Sequence, residues 1–130
     1  MDRTRIMRHA LRLGSLFNFV AAVVVALPSS LGSLVRLPVP VSPFYSWTLA
    51  VLIALFGGAY LWLSRQAELD RPLVVVAIVG KFAVFVVAVV CRAMGAVSNL
   101  VLLAALGDLF FGLVFLWWLL GSARERPATV

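Results

Sequence analysis

The chain has 130 residues, of which 64% are hydrophobic and only 12% charged, with a formal net charge of +6 and a mean hydropathy of +1.11. A soluble domain dresses its surface with roughly a quarter charged residues, so this composition excludes a water-solvated globular protein. It implies an integral membrane protein whose exterior is covered largely by lipid. The positive balance is not a nucleic-acid signature, because the basic residues lie between apolar runs and are not gathered into a groove interleaved with exposed aromatics.

Four apolar runs follow in chain order, at about 11–27, 44–63, 73–91 and 98–120. Each is near the ~20 residues that a helix needs to cross ~30 Å of hydrocarbon. Backbone groups in hydrocarbon must be satisfied internally, so the runs read as helices. The fold class expected is therefore all-α, a single membrane domain over residues 1–130 built as an antiparallel four-helix bundle. The first run is the shortest and draws its opening turns from the stretch around Arg8 and Arg12, whose side chains can snorkel. With its basic start and Pro28-Ser29-Ser30 behind it, this run has the outline of a signal peptide. It has no clear small-x-small cleavage site, and it is expected to remain as the first membrane helix.

The connection at 28–43 is the longest. Pro28, Pro38, Pro40 and Pro43 interrupt any continuous helix there, while Leu31, Leu34, Val35 and Leu37 keep it apolar. It reads as an outer segment on the headgroups with a short interfacial helix near 31–37, or as a lid over the bundle mouth. The next connection carries Arg65, Glu68, Asp70 and Arg71, a solvated charge cluster rather than a carboxylate pair for acid–base work. Orientation follows from charge: Arg3, Arg5, Arg8, Arg12, Arg65, Arg71, Arg124 and Arg126 share one side, and only Arg36 and Arg92 lie on the other. The positive-inside rule puts both termini, including the tail at 121–130, in the cytoplasm. Tyr45, Trp47, Trp62, Trp117 and Trp118 fall near the expected membrane boundaries.

Two charges fall in the middle of apolar runs. Lys81 lies ten residues before Cys91, and Asp108 nine residues after Asn99, on either side of one short loop. At 1.5 Å per residue they sit about 15 Å and about 13.5 Å below the same surface. They are thus level with each other near the bilayer midplane and able to pair if they share the hairpin's facing surface. Small residues at helical spacing suggest that they do: Ala77, Lys81 and Ala88 in the third run, and Ala105, Asp108 and Gly112 in the fourth. The second run offers Ala50, Ala54 and Gly58 as its inward stripe, and the first offers Gly14, Asn18 and Ala21. Asn18 becomes a third member of a candidate intramembrane polar site, as an interhelical hydrogen-bonding group. Tyr60 reads as an interfacial anchor at the end of the second run.

Two readings of the Lys81–Asp108 pair stand open. One is a buried salt bridge fixing helix register, for which apolar residues would serve as well. The other is a polar cavity that binds a proton, an ion or an acidic headgroup. Catalytic constellations are not visible: no His or Cys is placed to activate a serine, and the glycine pairs Gly57–Gly58 and Gly80–Lys81 are embedded in apolar sequence. The single Cys91 cannot form an internal disulfide, and the single His9 cannot supply two axial haem ligands. No cofactor or metal is expected, and any part in an enzyme would be a contribution to a partner's active site.

The short basic N-terminus, the long first outer loop, and the acidic residue within Gly107-Asp108-Leu109-Phe110-Phe111-Gly112 resemble, in outline over about 11–121, small four-helix bacterial membrane proteins of the broad DoxX-like and BphX-like type. The resemblance implies an accessory place in a membrane redox complex and carries over no functional residue. The reading that results is a non-catalytic, multi-pass inner-membrane protein, an accessory or assembly subunit of a larger complex or a homo-oligomer, with the bilayer as its first partner. The aromatic stretch Phe110, Phe111 and Phe115 to Trp118 offers a docking face. The alternative is a small carrier or ligand-binding protein using Lys81, Asp108 and Asn18.

Overall fold

A computed structural model of the protein describes residues 2–124. Four helices, α1 (Arg3–Ala26), α2 (Pro43–Leu63), α3 (Arg71–Ala93) and α4 (Asn99–Arg124), account for most of them, with a 3-10 turn at Leu31–Val35 between α1 and α2. Each of the four is long and apolar enough to cross a membrane. Lengths of 21 to 26 residues correspond to about 32–39 Å at 1.5 Å per residue.

Helix ends follow from local chemistry. α1 begins eight residues before the apolar run expected at 11. Asp2 accepts a hydrogen bond from the Thr4 amide as N-cap, and Met7, Ala10 and Leu11 give the basic first turns a buried face. The early start is thus a consequence of amphipathicity, which a scan for continuous apolar residues overlooks. Pro43 opens α2, and Asp70 caps α3 by accepting from the Leu73 amide at 2.9 Å, ahead of Pro72. α3 stops at Gly95, whose φ of 73° lets Ala96 N–H close back on Cys91 C=O at 2.8 Å in a Schellman turn. α4 runs past the expected end at 120, with Gly121 buried; the remainder of the expected tail, 125–130, lies outside the described residues.

Consecutive helices pack as antiparallel hairpins. In the first, Arg8 reaches Ser64 and Ala67, while Gly57 faces Ser15 and Asn18. In the second, Arg71 reaches Leu119 and Ser122, and Gly112 faces Lys81. The hairpins join mainly through α1 and α4, where Phe17 lies over Gly107 and Phe111 and Phe115 lie over Gly14. At the end of the bundle holding the N-terminus the core is made of large side chains: Met7, Leu11, Tyr60, Leu63, Val74, Ile78, Phe115 and Trp118. Towards the opposite end the buried residues are mostly small (Ala22, Ala50, Ala88 and Ala105), as close packing without a hydrophobic driving force favours. The outward faces are apolar, for example Leu13, Leu16, Val20 and Val23 on α1, and Val75, Val79, Val86 and Val90 on α3.

Two expected inward faces and one expected docking face change. On α2 the buried stripe is Ser46, Ala50, Gly57, Tyr60 and Leu63 rather than Ala50, Ala54 and Gly58. The Gly57 position is 3.3 Å from Ser15 O and from Asn18 Cβ, whereas Gly58 has nothing within 4 Å. Adjacent glycines both satisfy a small-residue pattern, and only the helix rotation chooses between them. On α1, Ala22 rather than Ala21 completes the buried face. On α4, Phe111, Phe115 and Trp118 point into the core, leaving Phe110 and Trp117 outside, so the expected aromatic docking face is divided between two sides of the helix.

Candidate functional site

The polar residues singled out in the sequence meet at one point. Lys81 Nζ donates to Asp108 Oδ1 and to Asn18 Oδ1, each at 2.7 Å. Lys81 is 3% exposed and Asp108 14%. Asn18 is buried as well and donates from Nδ2 to the Ile53 carbonyl of α2 at 3.4 Å. One ammonium therefore ties α3 to α4 by an ion pair and to α1 by a hydrogen bond, and Asn18 passes the link on to α2.

Local sequence makes this convergence possible. Gly112, one turn beyond Asp108, lets α4 approach until Lys81 Cβ lies 3.3 Å from where a Gly112 side chain would begin. Gly57 does the same between α1 and α2 beside Asn18. Without these two glycines the backbones would stand farther apart, and a short Asn or Asp side chain could not span the gap.

The apolar part of the cluster was not legible in the sequence. The rings of Phe17, Tyr60 and Phe111 lie around Lys81 Nζ, with centroids at 5.1, 5.4 and 5.7 Å. An ammonium has three donors; two go to side-chain oxygens, and the rings present their negative faces to the rest of the charge. Tyr60 is the clearest correction. Expected as an interfacial anchor, it is 3% exposed and packs edge-on against Phe115 with centroids 5.7 Å apart. Phe17 and Phe111 sit one residue after Leu16 and three after Asp108 respectively, positions that an apolar sequence does not distinguish from lipid-facing ones.

Among the described residues no cluster of three or more His, Cys, Asp or Glu side chains is assembled. His9 is exposed and Cys91 half-buried, both away from Lys81 in the chain's layout. Glu68 and Asp70 are exposed in the α2–α3 connection, where Asp70 serves as the cap of α3. One surface hollow of about 520 Å³ is bordered by Phe19, Gly58 and Trp62, and another of about 300 Å³ by Thr4, Glu68, Arg71 and Ser122. Neither includes a member of the lysine cluster.

No protein-family model, curated protein or solved structure matches this chain. Function is therefore argued from the cluster itself. Its chemistry is that of a neutral, hydrogen-bonded ion pair with an aromatic surround. In a low-dielectric interior such a pair is costly to break by removing one partner, and it holds the four helices in one register. Asp108 accepts only from Lys81 among the described residues, so one carboxylate oxygen is left without a donor.

At the end that holds the N-terminus, two further arginines reinforce the hairpins. Arg8 donates to Ser64 O at 2.9 Å and Ala67 O at 2.8 Å, and Arg71 to Leu119 O at 3.1 Å and Ser122 O at 3.4 Å. These carbonyls belong to helix C-termini or the turn that follows, where cations are favoured by the backbone dipoles. At the opposite end, Ser98 Oγ donates to Val35 O at 2.8 Å and pins the 3-10 turn to the start of α4, while Arg92 bonds Asn99 across the α3–α4 turn.

Proposed function

We propose that the protein is a non-catalytic, multi-pass accessory or assembly subunit of a bacterial inner-membrane complex, with both termini cytoplasmic. The observation that carries this reading is the closure of the polar cluster. Lys81 is enclosed by Asp108, Asn18 and three rings, so the costliest side chain in the membrane is engaged in holding helices together rather than facing a cavity. A rigid bundle with a broad apolar exterior is suited to a scaffolding part. The outline likeness to DoxX-like and BphX-like proteins supports the same place beside a membrane redox complex. The orientation rests on the arginines at the start of α1, in the α2–α3 connection and in the tail.

Native mass spectrometry of the protein, extracted gently from its host membrane, tests the proposal. A stoichiometric protein companion, retained when Lys81 and Asp108 are both replaced by apolar residues, is the expected result. A small molecule or ion lost with that replacement would overturn it. Reporter fusions at the C-terminus test orientation: a fluorescent protein should be bright and an alkaline phosphatase inactive.

The second reading, a small carrier or ligand-binding protein, draws on one observation: the 14% exposure of Asp108 and its free carboxylate oxygen. In that reading a hydrogen-bond donor on the ligand engages Asp108 from outside the Lys81 pair.

A further inference from the structure

We infer that the groove between α1 and α2 binds one anionic phospholipid, with an acyl chain lying over Ala54 and Gly58 and the phosphate held by Arg12 and Arg65. The inference rests on the chain being embedded in a bilayer and is independent of the accessory role.

The groove, of about 520 Å³, is walled by Phe19 on α1 and by Val51 and Trp62 on α2, with Ala54 and Gly58 between them. From Val51 to Trp62 it runs eleven residues, about 16 Å along the helix, close to the ~15 Å depth of one leaflet's hydrocarbon. It therefore has the length of a single acyl chain, starting near the interface at exposed Trp62 and ending near mid-helix. Its floor is open for a reason that nothing in the chain explains: a side chain at Gly58 would meet no atom within 4 Å. A glycine inside a helix costs roughly 1 kcal/mol relative to alanine, and here no neighbouring helix of this chain benefits from it.

The charges at the mouth select the headgroup. Arg12 lies seven residues, two helical turns, before Phe19 and on the same side of α1. In the antiparallel pairing of Arg8 with Ser64 and of Ser15 with Gly57, it is level with the last turns of α2. Arg65 follows Trp62 by three residues, its amide closing on Trp62 O at 3.0 Å. Both arginines are exposed and, among the described residues, neither guanidinium has a hydrogen bond or ion pair. This sets them apart from Arg8 and Arg71, whose guanidiniums are occupied by backbone carbonyls. Two free guanidiniums at the interfacial end of an acyl-length groove match a phosphodiester with an uncompensated charge. The apolar groove behind them favours a lipid over a free phosphate.

Lipid retention tests this directly. The purified full chain is equilibrated in micelles with equal amounts of phosphatidylglycerol and phosphatidylcholine, and retained lipid is counted by native mass spectrometry. One bound lipid is expected, with phosphatidylglycerol favoured by about fivefold per arginine. Arg12→Gln with Arg65→Gln should retain both lipids equally. Gly58→Leu, which fills open space and improves helix propensity, should melt at or above the wild-type temperature and retain neither. Equal retention of the two lipids by the wild-type chain, or unchanged phosphatidylglycerol binding in Gly58→Leu, overturns the assignment. A protein companion or second copy that disappears in Gly58→Leu, without selective lipid loss, gives the groove to a helix instead.

Discussion

Removing one charge from the Lys81–Asp108 pair should destabilise the protein far more than removing both. In Asp108→Leu the ammonium remains 3% exposed, with only Asn18 Oδ1 and three rings around it. A buried charge stripped of its partner costs about 3–5 kcal/mol. In Lys81→Met the carboxylate is left in a hydrocarbon environment, which costs at least about 2.5 kcal/mol on insertion scales. The double variant Lys81→Met, Asp108→Leu carries no charge to desolvate. Its loss is confined to Asn18 Oδ1, which forfeits its donor at about 1–3 kcal/mol, against a gain of similar size from removing the ion-pair desolvation penalty. The double variant should therefore lie within about 2 kcal/mol of wild type, and the coupling between the sites should be at least about 3 kcal/mol. Steric-trapping or detergent-induced unfolding in bicelles, run on all four members of the cycle, measures each term. Additive effects with single-variant losses below about 0.5 kcal/mol would refute the reasoning, since they would mean that the pair is either apart or bathed in water.

The two adjacent glycines of α2 should respond in opposite ways in the same unfolding assay. Gly57→Leu drives a side chain into Ser15 O and Asn18 Cβ, both 3.3 Å away, and should cost about 1–3 kcal/mol as overpacking, whereas Gly58→Leu should be neutral or stabilising. Gly107→Ala places a methyl 2.7 Å from the Phe17 ring; turning that ring away from Lys81 should cost about 1–3 kcal/mol. Arg8→Gln loses two bonds to carbonyls beyond the end of α2 and should lower stability by about 1–3 kcal/mol. The loss should be visible as faster protease cleavage in the α2–α3 connection, while Arg65→Gln, with no such bonds, should leave that rate unchanged.

Much of the architecture was legible in the sequence because the bilayer is so restrictive a solvent. Four long apolar runs admit little but four helices. Lys81 and Asp108, each counted from the same short loop, had to fall at one depth, and the 2.7 Å contact is that depth realised. Asn18 could be added to the cluster because it falls at helical spacing from the small residues Gly14 and Ala21 in its run. What stayed hidden was rotation. Gly57 and Gly58 are interchangeable in a pattern of small residues, as are Ala21 and Ala22, and only the packing of α1 on α2 decided which of each faces inward. For the same reason Tyr60, Phe17 and Phe111 could not be distinguished from lipid-facing aromatics. In a soluble helix, polar residues mark the outside and so report the rotation. In lipid, the outside and the core are equally apolar. Composition and length thus determined the solvent, the number of helices and the depth of the charges. The azimuth of each helix, and with it the aromatic surround of Lys81 and the open groove at Gly58, was decided only when the helices packed.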